Sequence, residues 1–287
     1  MIHVPVRIVD HAYGKSSVRL TKVVRHADRH DLIELNADIV LHGDFIRSYT
    51  HGDNSSIVAT DSMKNTVYVL AKKHPVDSPE AFALYVADHF LTTYPQVSGA
   101  EVNLAQSTWQ RISVAGKPHP TAFASGGTEV RIAKAAVHRS GNIRRQIQGG
   151  LDDLLILKTT DSGFVGFVRD RFTTLPETTD RILATVLSAD WTFKDESADF
   201  NRAFTRIRTV MLEAFANHKS LAVQETLHVM AEAALDTEPA IVSIELRMPN
   251  KHRIPFNFKP FGLEFEQDIF ITTDEPSGQI NAKLQRS

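Results

Sequence analysis

"SIVATDSMKNTVYVLAKKH", residues 56–74, decides the fold because one structural period gives way to another inside it. Ile57, Val58 and Ala59 form an extended apolar run, and from Asp61 to about Lys73 the spacing is helical. The junction, Thr60-Asp61, admits two readings. Thr and Asp favour helix starts, where their oxygens accept from the free backbone N–H groups of the first turn. The pair can also be a site, because those first-turn N–H groups can serve an anionic ligand.

Strand pattern precedes this junction. Residues 17–26, "SVRLTKVVRH", alternate like a half-buried strand, "ADRHD" reads as a turn, and "LIELNADIVLHGDFIRSY", 32–49, reads as a long return strand. A second helix follows in 74–95, "HPVDSPEAFALYVADHFLTTYP", with an acidic start, apolar residues at 82, 85, 86 and 90, and a proline stop. Residues 100–114 and 128–139 read as two strands joined by a loop rich in Gly, Pro and His. "RSGNIRRQIQGG", 139–150, is polar and without period, and reads as a linker.

The second half repeats the order. Residues 151–169 and 180–193 read as strands, 198–218 and 220–239 as helices, the latter opened by Ser220 as its cap, and 240–254 and 262–273 as strands. The expected class is α+β: two tandem ββααββ units, residues 1–142 and 143–287, with antiparallel sheets and helices on one face. The uncovered sheet faces call for barrel closure or oligomerisation.

Composition narrows the chemistry. The chain has 287 residues, 42% of them apolar, enough for two buried cores. A formal charge of −2 argues against nucleic acid or an acidic membrane surface as the main partner. Without Cys there is no thiol nucleophile and no Cys-ligated metal. The start of the chain lacks the apolar run of a signal peptide, no apolar span of about 18 residues follows, and "AKLQRS" is not a peroxisomal Ser-Lys-Leu address. A cytoplasmic protein is expected. Of 13 His, the tightest pair is His26 and His30, but their flanks alternate as strands, so they mark a hairpin tip rather than a helical zinc site. HExxH, P-loop, GxGxxG and GxSxG signatures are absent.

Several polar or aromatic residues sit where plain structural roles suffice one by one. Lys15 precedes a strand, Arg181 opens one beside Asp180, and Phe164 in "DSGFVGF" suits a core. Gln224 lies in a helix's first turn, and Asn250 and His252 lie past Pro249 at a strand end.

Together they form a pattern. "YGK", "VATDSMKNTVY", "FVGFVRDRFTTLPETTDRIL", "VQETL" and "MPNKH", in that order, resemble the urate oxidase (uricase) family over essentially the whole chain. The resemblance implies two tunnelling-fold units per chain and a homotetramer of stacked barrels with active sites shared between subunits. It implies urate and dioxygen as reactants, with neither metal nor organic cofactor. Arg181 and Gln224 would grip urate as a planar tong, Phe164 would stack on its face, and the backbone N–H of Val223, with Thr60 and Asp61 from a second helix start, would bind its edges. Lys15, Thr60 and His252 resemble the family's proton relay, and Asn250 would hold dioxygen and then water. Two rivals remain: a non-catalytic purine-binding protein of the same fold, and a pterin-type enzyme that would need a zinc-binding His cluster on strands. "HRIPFNF" after His252 and the absent peroxisomal tripeptide depart from fungal members and suggest a bacterial type.

Overall fold

A computed structural model describes residues 6–286. The two readings of the chain ends, no signal peptide and no peroxisomal tripeptide, fall partly outside this range. Two compact units are present: one holds the chain up to Gly149 together with Phe193–Phe200, the other holds the rest from Gly150.

In the first unit, β1 (Tyr13–Arg25) and β2 (His30–Gly43) form an antiparallel hairpin that closes with Arg25 opposite His30. The tip is the turn expected there, and the His26 ring bonds Asp31 at 2.8 Å. A single-turn helix α1 (Ile46–His51) follows, then α2 (Thr60–Lys73) and α3 (Pro79–Thr93). Strands β3 (Val97–Val114) and β4 (Lys117–Ser140) complete the order β1-β2-β3-β4. The long return strand expected to Tyr49 therefore stops at Gly43, where a Cβ would lie 2.2 Å from the Gln96 carbonyl oxygen. The loop expected between the next two strands is strand as well, reversed by a tight turn at Ala115-Gly116, both with positive φ.

Alternation builds the core. Leu35, Ala37, Ile39 and Leu41 of β2 are buried on one face of the sheet, and Met63, Val67 and Leu70 of α2 and Phe82, Val86 and Phe90 of α3 join the same cluster. Each of these side chains other than Ala37 contributes ~1.5–3 kcal/mol on burial. Tyr85, expected in that stripe, is instead exposed and stacks on His74 at 4.7 Å.

The scheme repeats in β5 (Asn142–Lys158), β6 (Leu183–Phe193), α4 (Phe200–Asn217), α5 (Val223–Thr237), β7 (Ile241–Arg247) and β10 (Asn281–Gln285), with strand order β5-β6-β7-β10; the second unit takes β5 from Gly150 on, β6 to Thr192 and α4 from Asn201. Between β7 and β10 the chain makes an excursion, β8 (Asn250–Pro255) and β9 (Phe270–Gly278), paired antiparallel to each other. Three expectations change here. Residues 142–150 belong to strand β5, not to a linker; pairing supplied by neighbouring backbone overrides their polar composition. The strand expected over 240–254 breaks before Asn250, and the fourth strand of the unit is the five-residue β10. The strand expected over 151–169 ends at Lys158 and the one expected from 180 starts at Leu183, and the residues between form a loop carrying isolated bridges.

The two units share no evident sequence yet repeat the same helix-end chemistry. Lys22 of β1 donates to the carbonyls of Ala71 and His74 at the end of α2, and Lys158 of β5 donates to the His218 carbonyl at the end of α4. Arg139 of β4 donates to the Leu91 carbonyl in α3, and Arg286, just past β10, donates to the carbonyls of Leu235 and Glu238 at the end of α5. Cations thus close the negative ends of the paired helices in both units. Among the described residues no helix is long and apolar enough to cross a membrane.

Candidate active site

Helix starts behave differently from these closed ends. α3 begins on Ser78, whose Oγ accepts from the Ala81 N–H at 3.2 Å. α2 begins on Ala59 and α5 on Ala222, and neither has a side-chain cap. Thr60 and Asp61 are therefore the first two helical residues rather than the cap. Ser220, expected to cap α5, is fully buried and accepts from the Thr226 hydroxyl at 2.7 Å. An Ala in the cap position offers no oxygen, so the first-turn N–H groups stay available to a ligand.

In the first unit, Lys15 sits beside a β-bulge: Lys15 pairs with Ile39 and Val18 with Ala37, leaving Ser16 and Ser17 opposite Asp38. Ser17 has φ 58, and its N–H donates to the Asp38 carboxylate at 2.7 Å. Bulges of this kind re-aim neighbouring side chains. Gly14 is required by closeness, since a Cβ there would lie 1.8 Å from the Ile39 carbonyl oxygen. Asp61 accepts from Lys64 at 2.5 Å and Asn65 at 2.9 Å. Those contacts, Lys64 foremost and Lys15 in smaller measure, hold its carboxyl below the usual range.

In the second unit three loop segments are tied by backbone. The Gly163 N–H donates to the Ser220 carbonyl at 2.8 Å, the Ser220 N–H to Asp161 at 2.9 Å, and Phe164 and Thr178 exchange both bonds at 2.7 and 3.1 Å. Gly163 fits tightly, with a Cβ lying 3.2 Å from the Thr179 carbonyl oxygen. The Asp180 carboxylate accepts from the Thr160 hydroxyl at 2.9 Å. That bond, opposed by desolvation and aided by backbone N–H groups, lowers its pKa. This lattice fixes the backbones on which Phe164, Arg181 and the start of α5 depend.

Arg181 places its guanidinium 5.3 Å from the centroid of the Phe164 ring, and Phe167 stacks on that ring at 4.9 Å. The Arg181 Nε is buried with no partner among the described residues, and burial lowers the pKa of the group. Arg181, Asn250 and His252 line one cavity of about 490 Å³, with Asp180, Leu175, Phe265 and others. Asn250 pairs with Thr185 of β6, and a register shift separates it from His252 on β8. Val223 and Gln224 stand at the start of α5 and do not line this cavity; Val223 is buried and Gln224 exposed. Lys15, Thr60 and Asp61 lie in the other unit.

Sequence reasoning passed over Tyr13, Asp180 and Phe167. Tyr13 and Asp180 stand next to or near quoted site residues, but their bonds cross 45 and 20 residues of chain. Such reach leaves no periodic signal. No group of three or more His, Asp or Glu positioned for a metal occurs among the described residues.

Comparison with known proteins gives a consistent answer. A sequence model of uricases matches residues 11–136 and 147–281. The chain is 38% identical to the uricase of Dictyostelium discoideum, over 98% of both chains. It is 40% identical to the uricase of Arabidopsis thaliana, over 97% of this chain and 96% of the other. The crystal structure of uricase from Arthrobacter globiformis superimposes with a TM-score of 0.92 at 39% identity, over 99% of this chain and 96% of that one. The chain belongs to the uricase family.

Proposed function

We propose that this protein is a urate oxidase, converting urate, dioxygen and water to 5-hydroxyisourate and hydrogen peroxide in purine breakdown. Urate loses two electrons, dioxygen gains them, and water supplies the new hydroxyl at the ring carbon. The observation that carries the reading is the unpartnered, buried Arg181 Nε beside a cavity that also holds Asn250 and His252. A buried guanidinium N–H with no acceptor is costly unless a ligand supplies one. Its planar fork suits adjacent acceptors on a flat anion.

In this reading Arg181 grips one edge of urate and the Gln224 amide, with both donor and acceptor, grips another. Phe164 stacks beneath the ring, and the Val223 N–H adds a donor from the uncapped start of α5. Asn250 holds dioxygen and later the attacking water. His252, Thr60 and Lys15 relay protons, the Thr60 hydroxyl both accepting and donating; Asp61 fixes the substrate from the start of α2. A Lys serves as base only when neutral, which a closed, desolvated interface favours. The electron-rich urate anion reduces oxygen itself, so the proposal includes no metal or organic cofactor.

The relay residues and the tong residues would meet across chains, Lys15, Thr60 and Asp61 of one subunit completing the site of another. A homotetramer whose sheets close into barrels would accomplish this and bury the uncovered faces. A cytoplasmic location belongs to the same proposal and is tested by fractionation. Incubation with urate in air, following urate absorbance, oxygen uptake and peroxide, tests the activity. A non-catalytic purine binder would bind urate but turn nothing over.

A further inference from the structure

Tyr13 is two residues before Lys15 on β1, and Val58 is two residues before Thr60 at the entry to α2. One hydroxyl joins these approaches. The Tyr13 phenol donates to the Val58 carbonyl at 3.2 Å and accepts from the Val58 N–H at 2.7 Å. Both backbone groups of a buried residue outside regular structure are thereby satisfied by one side chain. The ring cannot swing away freely, because Phe45 meets it edge-on at 4.8 Å and 88°, and Phe45 is itself fully buried. The Tyr49 hydroxyl donates to the Ala12 carbonyl at 3.0 Å, holding the residue just before. Gly14 lets the same turn of β1 press on the Ile39 carbonyl.

We propose that Tyr13 is a positioning residue that sets Lys15 against the first turn of α2, and so against Thr60. It touches no reacting atom; it clamps the two segments that carry Lys15 and Thr60. The inference rests on the relay role assigned to Lys15 and Thr60 above. Burial raises the pKa of the phenol, which keeps it protonated and able to donate. A hydroxyl is needed rather than an apolar ring, because a Phe would leave the Val58 N–H and carbonyl unmatched.

The test is a kinetic cycle on the full-length enzyme with urate. Wild-type turnover and its measurable fall of about 10²–10⁴-fold in Thr60→Ala establish the function and the relay on their own, so their failure is distinct from failure of this inference. Given both, Tyr13→Phe should lower kcat about tenfold, as small misplacements of reacting groups do, with KM for urate within about twofold. Placed on Thr60→Ala, it should cost nothing further in kcat, because the group it positions is gone. A tenfold loss that persists in the Thr60→Ala background would mark general loosening and overturn the proposal. An unchanged kcat, or an effect confined to KM, would also overturn it. Should Tyr13→Phe fail to fold, Phe45→Leu keeps the phenol but removes the ring's edge support. The same cycle should then show a smaller kcat loss that again vanishes with Thr60→Ala, and persistence would again overturn the clamp.

Discussion

The Arg181 guanidinium carbon lies 5.3 Å from the centroid of the Phe164 ring, and its buried Nε has no partner among the described residues. A planar cation held on an aromatic face presents its outer edge in a fixed plane, the geometry a flat anion requires. Arg181→Lys should therefore lower kcat/KM for urate about 10–100-fold although the charge is kept, since an ammonium cannot reproduce a fork worth ~1.5–3 kcal/mol per charged bond. Steady-state kinetics read this directly. Near-normal kcat/KM in the Lys variant would remove the tong.

Lys15→Met and Thr60→Ala should act on the rate more than on binding. Proton transfer by a positioned side chain is worth about 10²–10⁴-fold, so kcat should fall within that range while affinity for a competitive purine analogue changes little. An effect on analogue affinity alone would make these residues binding groups.

Asp180 stitches the loop before Arg181 through the Thr160 hydroxyl, and its carboxyl lies below the usual range chiefly for that reason. The folded state therefore holds this proton more weakly than the unfolded chain does. The resulting stabilisation is complete above the unfolded value near ~3.9 and is lost as pH falls through the lower folded value. Asp180→Asn should flatten that part of the acid unfolding profile and raise KM for urate several-fold at neutral pH. An unchanged KM would show that the loop needs no such anchor.

How much of this is legible in sequence varies with the physics. The change from an apolar run to helical spacing between Ala59 and Asp61 gives α2 correctly, because burial follows periodicity. Which residue is the cap does not follow, since it depends on the backbone turning at Ala59 rather than on the polar pair beside it. Residues 159–169 look strand-like in "GFVGFV", yet only backbone bridges such as Phe164–Thr178 reveal a loop. Residues 142–150 look like a linker because exposed Arg and Gln say nothing about which backbone lies alongside. The site residues themselves stand out only as an ordered set of strings; Arg181 alone reads as a surface ion pair, and the structure instead buries its Nε.

Sharing of the site between chains has a direct consequence. Mixing Thr60→Ala and Arg181→Ala chains, each with about 1% of wild-type turnover or less, unfolding and reassembling them should give some sites that carry both changes and some that carry neither. Random pairing of two-fold partners makes about half the pairs mixed, so about a quarter of wild-type activity should return. Verified mixed oligomers that remain inactive would place each whole site within one chain.

The most direct measurement is urate turnover in air by purified protein treated with a strong chelator and freed of small molecules. Urate should disappear at an undiminished rate, with equimolar consumption of oxygen and release of peroxide. Absence of turnover, or turnover that returns only with added metal or flavin, would contradict cofactor-free urate oxidation.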